Sequence, residues 1–90
     1  MEKKSLEYIP EEILAKISDL GLAASLRSIG FEFLGVDRTD PTRVVFLFKK
    51  NPALGEAVDF YFRGVLQVDA LALITSLKVF KNLLFLNHDA

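Results

Sequence analysis

The sequence contains no cysteine, which removes disulfide frameworks, thiolate metal sites and cysteine nucleophiles together. Its only histidine is His88, which reads as an ordinary residue of a polar tail, so no nucleophilic triad is expected. Charge of one sign is also lacking. Eleven Lys and Arg stand against twelve Asp and Glu, a net charge of −1, and a molecule so balanced has no overall field to draw in a polyanion. Long apolar runs are missing too, because Asp19, Arg27, Glu32, Lys49, Glu56, Asp59, Asp69 and Lys78 interrupt every stretch well short of the roughly 18 to 20 residues of a membrane span. The start, Met1-Glu2-Lys3-Lys4 running into Ser5-Leu6-Glu7-Tyr8, offers no apolar stretch before a small-residue cleavage site. A cytoplasmic protein without a membrane partner is expected. Gly21, Gly30, Gly35, Gly55 and Gly64 never cluster, so neither a dinucleotide fingerprint nor a P-loop is present.

What the sequence does have is apolar bulk. Hydrophobic residues make up 51% of the 90, and eight are Phe, enough to offset chain entropy without covalent staples. The length allows one domain. It is placed at 10–86, after a charged segment at 1–9 and before a polar tail at 87–90.

Local signals predict the order α, α, β, β, α, short β, α. Pro10-Glu11-Glu12 resembles a helix start, with proline at the first position and carboxylates at the positive end of the dipole. A short helix at 10–16 is expected there, although 13–18 also reads as extended chain. Ser18-Asp19 supplies a cap for a second helix at about 19–29, stopped by Gly30. Residues 31–36 and 43–48 are rich in aromatic and β-branched side chains around the turn-forming segment 37–42, which predicts a hairpin. In its second strand Val44, Phe46 and Phe48 line one face and Val45 and Leu47 the other, so cover is expected on both sides. Asn51-Pro52 opens a helix at 52–63, ended by Gly64, with Leu54, Ala57, Val58 and Tyr61 on its core stripe. Val65 to Val68 reads as a brief edge strand. Asp69 then caps a helix at about 70–85 whose core line is Leu73, Leu77, Phe80 and Leu84. The fold class is α+β: an antiparallel hairpin, with the short third edge strand, packed against three to four helices.

Ser18-Asp19-Leu20, Leu22-Ala23-Ala24, Leu26, Gly30-Phe31, Asp40-Pro41, Arg43-Val44-Val45-Phe46 and Phe48 together resemble a family of small bacterial and phage-associated domains of unknown function. Phe60-Tyr61-Phe62-Arg63-Gly64, Val68-Asp69 and Leu77-Lys78 continue the likeness, which covers about 17–85. The resemblance implies a discrete fold and a mobile-element origin, and it carries no activity or cofactor. Two features depart from the family's pattern. The leading segment 1–16 is longer, and Lys49-Lys50 stand where relatives often look acidic.

No catalytic, cofactor or metal site emerges. Glu32, Asp37, Asp40, Glu56, Asp59 and Asp69 are dispersed, and only Glu56 and Asp59 share a helical i, i+3 spacing, which a solvated face explains. A restriction-type nuclease could use Asp40-Pro41 but needs an acid where Leu47 stands, and leucine binds no divalent cation. An enzyme and a small-molecule substrate are therefore not expected. Two surfaces could recognise a partner. Phe60, Phe62, Leu71, Val79, Leu83 and Leu86 fall outside the core stripes and predict protein contact, with a homodimer first and another protein second. In the competing account, segment 1–16 folds over that stripe. Arg38, Arg43, Lys49 and Lys50 form the alternative, a weak nucleic-acid-binding hairpin if the sheet's twist unites them. Charges that merely protect a strand edge explain the same residues.

Overall fold

The computed structural model describes residues 11–89, and the side chains of 12–85. A single 3-10 turn at Glu11–Ile13 leads into β1 (Leu14–Ile17), followed by α1 (Leu20–Ser28), β2 (Phe33–Asp37), β3 (Val45–Lys49), α2 (Pro52–Phe62) and α3 (Ala70–Asp89). The three strands form one antiparallel sheet in the order β1-β3-β2.

The predicted hairpin is present as β2 and β3, with a register irregularity between Phe33 and Gly35. Of the two readings left open at 13–18, the extended one holds, and the helix at 10–16 shrinks to the 3-10 turn. The cause is tertiary. β3 has a second free edge, and Leu14, Ala15, Lys16 and Ile17 pair across it with Lys49, Phe48, Leu47 and Phe46. The alternation puts Ala15 and Ile17 on the face that Phe46 and Phe48 share, where both pack with the core. The third strand is thus real but lies before the hairpin. No strand forms at 65–68, because the chain doubles back there and the amides of Val65 and Leu66 donate to the carbonyl of Phe60.

Asp19 caps α1 by accepting from the Leu22 amide at 2.9 Å. Asn51 caps α2 through the Ala53 amide at 2.8 Å, and Asp69 caps α3 through the Ala72 amide at 2.9 Å. Gly30 and Gly64, at φ 106° and 76°, occupy the left-handed region just past α1 and α2, where a side chain would be strained. α3 runs on to Asp89, beyond its expected end at 85, so most of the segment 87–90 is helical.

The core is built on the Phe46 and Phe48 face of the sheet. Phe80 of α3 is fully buried and stacks on Phe46 with ring centroids 4.7 Å apart, while Phe33 meets Phe80 at 4.8 Å. α1 is the central helix. Leu22, Ala23, Ala24, Ser25 and Leu26 are all buried, and five consecutive helical residues cover the whole circumference at about 100° each. Ala23 and Ala24 have no exposed area, and side chains this small let a neighbouring backbone approach. The polar atoms inside are satisfied: Ser25 Oγ donates to the Gly21 carbonyl, and Arg27 Nη1 donates to Ser76 Oγ at 3.0 Å, tying α1 to α3. On the opposite face of β3, Leu47 is buried too, flanked in register by Lys16 and Gly35.

Candidate functional site

The turn between β2 and β3 is shaped by its own side chains. The Asp37 carboxylate accepts from the Thr39 amide at 2.8 Å, and Asp40 Oδ1 accepts from both the amide and the hydroxyl of Thr42 at 2.9 and 2.7 Å. Hydrogen bonds from the Thr39 hydroxyl and amide hold Asp37 below the ordinary carboxylate pKa, and those from the Thr42 amide and hydroxyl do the same for Asp40. Both acids stay ionised at neutral pH.

That turn projects two arginines against neighbouring elements. Arg38 Nη2 donates to the Leu83 carbonyl on α3 at 3.1 Å, and Arg43 Nη2 donates to Ser18 Oγ at 3.2 Å. Between them opens a cleft of about 640 Å³. Arg38, Arg43, Ser18, Asp40 and Thr42 supply its polar rim, and Leu20, Val44, Phe46 and Leu84 its apolar floor. Lys49 and Lys50 lie elsewhere. They border a smaller hollow of about 240 Å³ with Glu32 and Asn51 at the far end of the sheet. The extended chain from Arg43 to Lys49 spans roughly 20 Å at about 3.3 Å per residue. The structure therefore brings the four predicted basic residues together as two pairs and not as one patch.

The predicted apolar surface is redistributed. Phe62 and Leu71 are 66% and 73% exposed. Val79 and Leu83 are instead half-buried and packed against the core, which widens the inner stripe of α3 beyond Leu73, Leu77, Phe80 and Leu84. Phe60, expected to face outward together with Phe62, is half-buried, while Phe62 is exposed. The returning chain bonded to the Phe60 carbonyl lies at that point, and Phe62 is the last helical residue. The Leu86 side chain lies outside the described residues, as do 1–10, so the account in which segment 1–16 folds over α3 rests in part on undescribed chain. Of its described portion, 11–16, residues 14–16 pair with the sheet edge.

Sequence reasoning missed Ile74, 50% exposed, and Phe85, 65% exposed. With Leu71, Lys78 and Lys81 they form one outer stripe of α3, at alternating i+3 and i+4 steps, and all of these side chains are exposed. The lysines in its middle disguised it. The outer face of α2 has the opposite sign: Glu56 and Asp59 are exposed beside Phe62, and Asp59 pairs with Arg63 at 3.0 Å.

Among the described residues, no three acidic or histidine side chains come together to hold a metal, and no helix is long and apolar enough to cross a membrane. The family model described as Domain of unknown function (DUF5659) matches residues 13–86. The chain belongs to that family. No curated protein and no solved structure matches it. The matched span takes in all three strands, α1, α2 and α3 as far as residue 86.

Proposed function

We propose that the protein is a small, non-catalytic binding or accessory protein that works by associating with a second copy of itself through the outer faces of α2 and α3. The observation carrying this reading is the outer stripe of α3, where Leu71, Ile74 and Phe85 expose 73%, 50% and 65% of their surface along one helical line. Single exposed apolar residues are ordinary, and three large ones in register on one helix support the reading of a contact surface. Sign complementarity favours a second copy. Lys78 and Lys81 sit between the apolar residues of α3, and Glu56 and Asp59 sit beside Phe62 on α2. One copy's α2 docked on its partner's α3 joins opposite charges and apolar residues, and a two-fold axis makes the contact twice.

Sedimentation velocity at micromolar concentration tests this. Wild type is expected to sediment as a dimer, and K78E/K81E and E56K/D59K each as monomers. An equimolar mixture of the two variants should dimerise again, since each mixed contact set regains opposite signs. A wild-type monomer, or no rescue in the mixture, ends the reading. The cytoplasmic setting and mobile-element origin belong to the same proposal, and a gene neighbourhood free of phage functions would count against the latter.

A further inference from the structure

The cleft beside the β2–β3 turn has no place in the proposed dimer and carries an inference of its own. Arg38 and Arg43 each donate a hydrogen bond to a neutral acceptor, the Leu83 carbonyl and Ser18 Oγ. A guanidinium has five N–H donors in a planar fork that matches an oxyanion. Among the described residues neither arginine forms a salt bridge. The one carboxylate on the rim, Asp40, commits an oxygen to both the amide and the hydroxyl of Thr42. Two guanidinium groups against one carboxylate leave the rim one positive charge in excess. Below it, Leu20, Val44, Phe46 and Leu84 form an apolar floor drawn from α1, β3 and its approach, and α3. The volume of about 640 Å³ falls within the roughly 300 to 1,000 Å³ of small-molecule sites, which pair an apolar lining with a few convergent polar groups.

We propose that this cleft binds a small organic monoanion, a carboxylate on an apolar body, with Arg38 and Arg43 holding the carboxylate and Leu20, Val44 and Leu84 covering the body. A single negative charge balances the rim, and the bidentate match of guanidinium and carboxylate orients the head group. The apolar body gains the rest of its affinity by leaving water. A polyanion is disfavoured because the ionised Asp40 shares the rim and leaves an excess of only one positive charge.

The test uses isotope-labelled full-length protein and octanoate as the probe, followed by amide chemical shifts. Octanoate should shift the amides of Leu20, Arg43, Val44 and Leu84 together, with a dissociation constant on the order of 1 mM for so small a ligand. Octanol, which keeps the body and lacks the charge, should bind at least tenfold more weakly. R43Q, at an exposed position, should lose about tenfold in octanoate affinity while its unliganded spectrum stays that of a folded protein, and R38Q should lose as much or more. Equal binding of octanol and octanoate would overturn the proposal by reducing the site to a greasy crevice. Inorganic phosphate binding as tightly as octanoate would overturn the carboxylate assignment, and unchanged affinity in both arginine variants would sink the site itself.

Discussion

The two long faces of α3 both carry leucine and phenylalanine and do opposite things. The inner face buries Phe80 completely, stacks it on Phe46 at 4.7 Å and accepts the Arg27 guanidinium on Ser76. The outer face leaves Leu71 and Phe85 mostly in water. Two lysines separate them in sequence, since the inner stripe is interrupted only by Ser76 and the outer one by Lys78 and Lys81, yet both carry large apolar side chains. The neighbours decide. Small residues on α1 and a cluster of phenylalanines on the sheet give one face something to pack against, and no described element covers the other.

Paired substitutions test that contrast most severely. Phe80→Ala should cost about 3–5 kcal/mol of stability, the usual range for emptying a packed aromatic site. Phe85→Ala should change stability by under about 0.5 kcal/mol while weakening self-association. Urea unfolding of the two variants side by side breaks the comparison if their costs are similar. Next in size is Ser76→Ala, expected to cost about 1–2 kcal/mol because the Arg27 donor loses its partner in a nearly closed environment. The same change at Thr75, exposed on the same helix, should be close to neutral.

The junction of α1 and α2 sharpens the point that neighbours override local preference. A Cβ at Gly21 would lie 2.6 Å from Tyr61 Oη and 3.3 Å from Asp19 Oδ1, so Gly21→Ala should destabilise by about 1–2 kcal/mol despite alanine's better helix propensity. In a Tyr61→Phe background, which removes the hydroxyl, Gly21→Ala should become neutral or mildly stabilising. Thermal melts of the four proteins in the cycle check this, and additive effects would show that the close approach is not the cause.

The smallest expected effect is a pH dependence. Burial, then the negative charge of Asp19 and the hydrogen bond to it, raise the Tyr61 pKa above its ordinary value of 10.0. The folded state therefore holds this proton more tightly than the unfolded chain does. Its contribution is complete below about pH 10 and is lost as pH rises through the higher folded value. Urea midpoints recorded from neutral to strongly alkaline pH should fall less steeply in Tyr61→Phe than in wild type.

Much of the fold was legible because its signals are local. Asp19 and Gly30 bracket α1, Asn51-Pro52 and Gly64 bracket α2, Asp69 opens α3, and the segment 37–42 joins two strands of unmistakable β character. What failed was non-local. Leu14 to Ile17 fit either a helix or a strand, and only the free edge of β3, on the far side of α1 and β2 in the chain, settles which. The candidate sites divide in the same way. The arginines were visible one by one, but their cleft needs Ser18, Leu20 and Leu84 from distant parts of the chain. The outer stripe of α3 escaped because Lys78 and Lys81 interrupt its apolar run.

By itself, the sequence determined where α1 and α2 start and stop, where α3 starts, and that a hairpin forms, since capping and turn chemistry act within a short stretch of chain. The tertiary structure decided which strand pairs with the second edge of β3, how far the inner stripe of α3 widens to take in Val79 and Leu83, and that the basic residues split into two pairs. Those outcomes depend on distances between segments remote in sequence, and burial is a property of what a side chain meets rather than of the side chain alone.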